Sequence, residues 1–295
     1  MLRQTALVTS GSNIRPTVEA GAATTVIEAS RGWIPLRLPE LWEYREVLYF
    51  LVWRDLKARY RQTLLGVGWA IIQPLVTMVL FTVIFGKLAK IPSDGLPYAI
   101  FSLAALVPWN FFSTALTQSS NSLVNNSHIL RKVYFPRLLL PLGRVLGCVP
   151  DLALAFGFLL ILAAWRYGLH PSLASLCWVP VFVLLALVMA LAAGLWLSAL
   201  NVRFRDIQHL IPFLIQFWLF ATPIVYPSSL VPARWRLLYA LNPMVGVVDG
   251  FRWALLGTGE PPRITLAASA LGALVVLTAG SLFFRRVEKT FADVV

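Results

Sequence analysis

The chain has 295 residues, 58% hydrophobic and 13% charged, against roughly 25% charged in an ordinary soluble domain. That balance excludes a soluble globular protein. The formal charge of +12 does not indicate nucleic acid, because the basic residues fall in short clusters between apolar runs and form no continuous stripe.

Residues 1–35 are rich in Ser, Thr, Ala and Gly and lack the apolar run of a cleaved signal peptide. They are expected to form a flexible cytoplasmic leader. The segment PELWEYREVLYFLVWRDLKARYR then places Trp42, Tyr49, Trp53, Leu56 and Tyr60 on one face at about 100° per residue, with Arg54, Asp55 and Arg59 on its flanks. Such a helix either lies in the headgroup plane or packs on a bundle of spans; both readings put it at the membrane surface.

A helix needs about 20 apolar residues to cross a bilayer, and six stretches qualify: 64–86, 96–117, 138–165, 176–200, 210–226 and 264–284. The third tolerates Arg144 and Asp151. These lie seven apart, close to two turns, and so share a face, as a structural ion pair or a functional site. The fifth is short and carries Pro212 and Pro223. Between the fifth and sixth lies an apolar connection too charged for another crossing, with Asp249 and Arg252 three apart on one helical face. Pro243 and Gly250 mark breaks between two short helical pieces. This hairpin reads as an amphipathic cap at the outer surface or as a re-entrant gate, which needs protein or a water-filled cavity around it.

Six crossings put both termini on one side. Lys and Arg then divide 18 against 7, and the richer side, including the 285–295 tail, is expected to be cytoplasmic. The fold class is therefore an all-α membrane protein with six transmembrane helices, an N-terminal amphipathic helix and a helical hairpin between spans five and six.

No stretch matches G-x-x-x-x-G-K-[ST], so the chain has no Walker A phosphate cradle. His128, His170 and His209 lie in connections or at span ends, Cys148 and Cys177 have no metal-like spacing, and no metal site or disulfide framework is indicated. Both cysteines read as packing residues. Aromatic rings recur instead: Phe213, Phe217, Trp218, Phe220 and Tyr226 in span five, and Trp109 and Phe112 in span two. They are either packing and interfacial anchors or a smooth lining along which a sugar chain can slide.

Four blocks carry a resemblance: LWEYREVLYFLVWRDLKARYRQTLLGVGWAIIQPLVTMVLFTVIF from Leu41, KVYFPRLLLPL from Lys132, LSALNVRFRDIQHLIPFLIQFWLFATPIVYP from Leu197 and LNPMVGVVDGFRWALLG from Leu241. In this order and spacing the chain, over about residues 38–290, resembles the ABC-2 type permease of bacterial polysaccharide exporters. The resemblance implies a permease homodimer in the bacterial inner membrane, paired with two copies of an ABC ATPase subunit. It also implies a lipid-linked polysaccharide substrate such as O-antigen or capsular polymer. ATP and magnesium would be bound by the partner, with no cofactor on this chain and no catalysis by it. The 39–60 helix, with Arg54, Asp55, Lys57, Arg59 and Tyr60, resembles the ATPase interface helix. Arg131, Lys132, Arg203, Arg205 and Asp206 fall in segments similar to gate and coupling elements. The 228–258 stretch, with Pro243, Asp249, Arg252 and Trp253, resembles periplasmic gate helices. Export of a small molecule such as a drug or antibiotic is the alternative within the same class. A membrane glycosyltransferase is disfavoured by scattered acids and the absence of D-x-D.

Overall fold

The computed structural model describes residues 38–61, 66–130, 132, 135–204, 206–257 and 261–288, with side chains from residue 41 onward. The leader at 1–35, the first residues of the predicted first span, Arg131, Arg205 and the tail beyond Glu288 lie outside the described residues.

The described residues are helical, without strands. Helices α1 (Leu38–Glu43) and α2 (Arg45–Arg61) come first. A short 3-10 turn leads into α3 (Trp69–Phe81), which continues as a π-helix over Thr82–Leu88. Then come α4 (Tyr98–Ser120), the single turns α5 (Ser122–Asn125) and α6 (Ser127–Leu130), α7 (Leu139–Leu146) and α8 (Val149–Tyr167). The chain continues through α9 (Leu173–Leu176), α10 (Val179–Arg203), α11 (Ile207–Phe220), α12 (Ala233–Ala240), α13 (Pro243–Leu256) and α14 (Arg263–Glu288).

Among the described residues, five stretches are long and apolar enough to cross a membrane: Gly66–Leu88, Tyr98–Ser120, Leu139–Tyr167, Leu173–Arg203 and Arg263–Glu288. Each overlaps a predicted span: the first three begin one or two residues later and end two or three later than expected, and the last two extend theirs at both ends. The third is two helices, α7 and α8, joined at Gly147–Cys148. Local signals set the ends. Gly168 closes α8 at φ 62° and Gly257 closes α13 at φ 67°, left-handed positions that Gly adopts without strain.

The bundle is built around α4, buried over most of its length, and α10, which packs against both α4 and α14. Small residues permit the close approach: Gly194 on α10 sits against Ser119, and Gly280 on α14 against Trp196, whose ring stacks on Phe283 at 4.8 Å. By contrast, the Gly66–Leu88 stretch buries Pro74 and Phe81 alone, and α11 buries only Ile211.

Two poles are defined by contacts. At one, Leu51 of α2, Leu123 of α5, Leu139 of α7, Val202 of α10 and Phe284 of α14 form a single apolar cluster, and Arg137 donates to the Glu288 carbonyl at 2.7 Å. At the other, α13 packs among α4, α10 and α14. There the Tyr98 hydroxyl donates to the Val225 carbonyl at 2.7 Å and the Ser175 hydroxyl to Ala254 at 2.8 Å.

Candidate functional site

At the α2 pole the charged flank of the amphipathic helix turns inward. Asp55 accepts from Arg54 at 3.0 Å and from Arg144 of α7 at 3.1 Å, while Arg54 also reaches Asn126 at 3.0 Å. One helical turn on, Arg59 pairs with Asp151 of α8 and donates to Gln118 of α4 at 2.7 Å. Tyr60 donates to the other Asp151 oxygen. Burial and the Asp151 carboxylate beside it push the Tyr60 phenol up to about 12. Arg144 and Asp151, expected to share a face, thus each bind a residue of α2. The opposite side of α2 carries exposed rings, Tyr49, Phe50 and Trp53, with Trp42 exposed on α1, and exposed Lys57. Lys132, in the turn after α6, Arg203, at the end of α10, and Asp206, the N-cap of α11, are exposed, with the Arg203 guanidinium 5.3 Å from the Phe204 ring centroid.

The aromatic residues divide into two sets. Trp109 and Phe112 are 2% and 0% exposed inside the bundle, and Phe112 meets Trp218 edge-on at 5.1 Å. Phe213, Phe217 and Phe220 are 69%, 66% and 50% exposed, forming one outward stripe along α11. Trp218 donates to Asn242 at 3.0 Å, and the Tyr226 hydroxyl meets that of Tyr239 at 3.0 Å.

At the other pole α12 and α13 form a helical pair whose turn at Leu241–Asn242 lies beside Gly272, two and a half turns into α14. Asn242 caps α13 by accepting from the Met244 amide at 3.2 Å, and Pro243 occupies the first turn, where its missing N–H is not needed. Gly250, expected to break a helix, lies within α13; the Phe182 ring occupies the space a side chain would take. Asp249 and Arg252, three apart on α13, bond to different partners. Asp249 accepts from Ser228 at 2.7 Å, whereas Arg252, 4% exposed, donates to the carbonyls of Pro223 at 2.5 Å, Ile224 at 2.9 Å and Phe101 at 3.3 Å. Its guanidinium lies 3.6 Å from the Phe101 ring centroid. Trp253 is part-buried beside Pro261, Pro262 and Arg263.

One feature escaped sequence reasoning. Asn110, Thr114 and Gln118 recur every fourth residue on α4 and share a partly exposed face bordering a cavity of 210 Å³. The signal was available in the spacing of polar residues within an apolar span.

Residues 46–256 match the ABC-2 type transporter family. The chain is 34% identical over 257 residues to the O-antigen export system permease protein RfbA of Myxococcus xanthus, covering 86% of this chain and 97% of that protein. Its Klebsiella pneumoniae namesake is 25% identical, covering 84% and 95%, and the polysialic acid transport protein KpsM of Escherichia coli is 23% identical, covering 80% and 91%.

Proposed function

The chain belongs to the ABC-2 type transporter family, and on that footing we propose that it is the permease subunit of an ATP-driven exporter of polysaccharide, such as O-antigen or capsular polymer. The observation that carries this reading is the nearly end-to-end similarity to an O-antigen export permease. ATP and magnesium act in a separate ATPase subunit, two copies of which work with a permease homodimer in the bacterial inner membrane, and the polymer travels on a lipid carrier.

Several features support the finer reading. Helix α10 ends at the α2 pole, whereas α12 and α13 lie at the other, so α11 with residues 221–226 makes the fifth crossing, for six in all, although α11 itself is only ~21 Å long at 1.5 Å per residue. The α2 pole, richer in Lys and Arg, is cytoplasmic. The turn of the α12–α13 pair beside Gly272 makes that pair a re-entrant gate. Exposed Lys57, Lys132, Arg203 and Asp206, with Arg131 and Arg205, meet the ATPase, while Arg54, Asp55, Arg59 and Tyr60 pass its motion to α7 and α8. The Phe213, Phe217 and Phe220 stripe faces the polymer path, with Trp109, Phe112, Trp218 and Tyr226 behind it.

Deletion of the gene tests the reading. Surface polymer is expected to disappear while lipid-linked polymer accumulates inside the cell. Unchanged levels of both overturn it in favour of small-molecule export.

A further inference from the structure

We propose that the 210 Å³ cavity walled by α2, α3, α4 and α8 binds one uncharged sugar residue of the polymer, a subsite that rests on the export reading above. Asn110 lies midway along α4, ~15 Å from Ser120 at 1.5 Å per residue. Its Nδ2 is buried without a hydrogen-bond partner, and exchanging the amide's N and O would leave an unmet acceptor instead. That atom is out of reach of the cavity, but the rest of the Asn110 side chain, with Thr114 and Gln118, lines it, and polar groups at membrane depth are paired or face a water-filled space, so this wall suits a polar occupant.

Thr114 and Gln118 continue the same face toward the α2 pole, and Gln73 and Trp69 of α3 stand across the space. The charge is already balanced, because Arg59 is engaged by Asp151 and Gln118. An anionic headgroup would find no free cation there. An uncharged, hydroxylated ring can bond to the Thr114 hydroxyl and the Gln73 and Gln118 amides while laying its C–H face on Trp69. At roughly 30 Å³ per water, the space holds about seven waters, room for one ring and not for a chain of them.

The test uses the whole permease–ATPase complex with Cys148→Ala and Cys177→Ser, to which Thr114→Cys is added. Inside-out vesicles are prepared from cells that make the polymer and from cells whose glycan synthesis is blocked, and the introduced thiol is labelled with a water-soluble maleimide. Labelling is expected to be at least fivefold slower when polymer is present. Equal rates mean a merely hydrated cavity and overturn the subsite, as does protection by inorganic pyrophosphate in the polymer-free vesicles. Asn110→Leu is expected to cut surface polymer at least tenfold at normal membrane levels of the protein, with Asn110→Gln partly restoring it. Wild-type export by Asn110→Leu would sink the subsite alone, whereas normal surface glycan after gene deletion would sink the export reading.

Discussion

Arg59 on α2 and Asp151 on α8, ninety-two positions apart, form an ion pair that fastens the amphipathic helix to the third span. Their side chains are 25% and 24% exposed, between the surface pairs that contribute little and the buried pairs whose breakage costs about 3–5 kcal/mol. Asp151→Asn and Arg59→Gln are each expected to destabilise the purified permease by about 1–2 kcal/mol. Because the two act as a unit, the double variant should lose less than the sum. Thermal unfolding in detergent measures this, and strict additivity would refute the pairing.

The same clamp has an alkaline limit. The Tyr60 phenol is raised from 10.0 to about 12, so the folded state keeps its proton where the unfolded chain has lost it. The contribution is complete below pH about 10 and falls away as pH rises to about 12. Tyr60→Phe is expected to remove part of the stability loss in that window. Parallel unfolding curves for both proteins between pH 9 and 12, within the ~1 kcal/mol resolution of mutational comparison, would contradict it.

Arg203 and Asp206 are exposed and make no ion pair among the described residues. Replacing both with alanine should therefore leave insertion intact, since surface changes usually stay within about 0.5 kcal/mol. Surface polymer should nevertheless fall severalfold. Normal export by this variant counts against a role in coupling.

Gly250 has no room for a side chain: an added Cβ would stand 2.4 Å from the Phe182 ring. Gly250→Ala is expected to cost about 1–3 kcal/mol through overpacking, and Phe182→Leu in the same chain should recover part of it. Lack of recovery would place the strain elsewhere.

Arg252 holds the segment after α11 by donating to the Pro223 and Ile224 carbonyls. Arg252→Met strands those acceptors, at about 1–3 kcal/mol for each buried group left unmet. Arg252→Lys, with three donors but no planar fork, should fall between. Limited proteolysis within 221–232 reads the loosening, and identical cleavage rates would argue that the arginine is dispensable.

The spans were legible because a bilayer imposes both length and apolarity, requirements each helix meets locally. The outward Tyr49 and Trp53 of α2 were likewise written in its period, whereas Tyr60, expected on the same face, turns to Asp151. Its partners were not: periodicity gives the angle of Asp55 and Arg59 but cannot name Arg144 or Asp151, which arrive from a distant part of the chain. Gly250 looked like a breaker for the same reason, since Phe182 lies 68 positions earlier. The polar face of α4 was missed because hydropathy averages around a helix, and Asn110, Thr114 and Gln118 vanish into the mean of their apolar neighbours.

The uneven burial of the helices has an evolutionary corollary. Changes on α4 meet protein on nearly every side, so drift there is quickly punished. The outer flanks of α3 and α11, lightly packed, can be rewritten without disturbing the tertiary register. A lineage can therefore vary those two outer flanks while inheriting the scaffold unchanged.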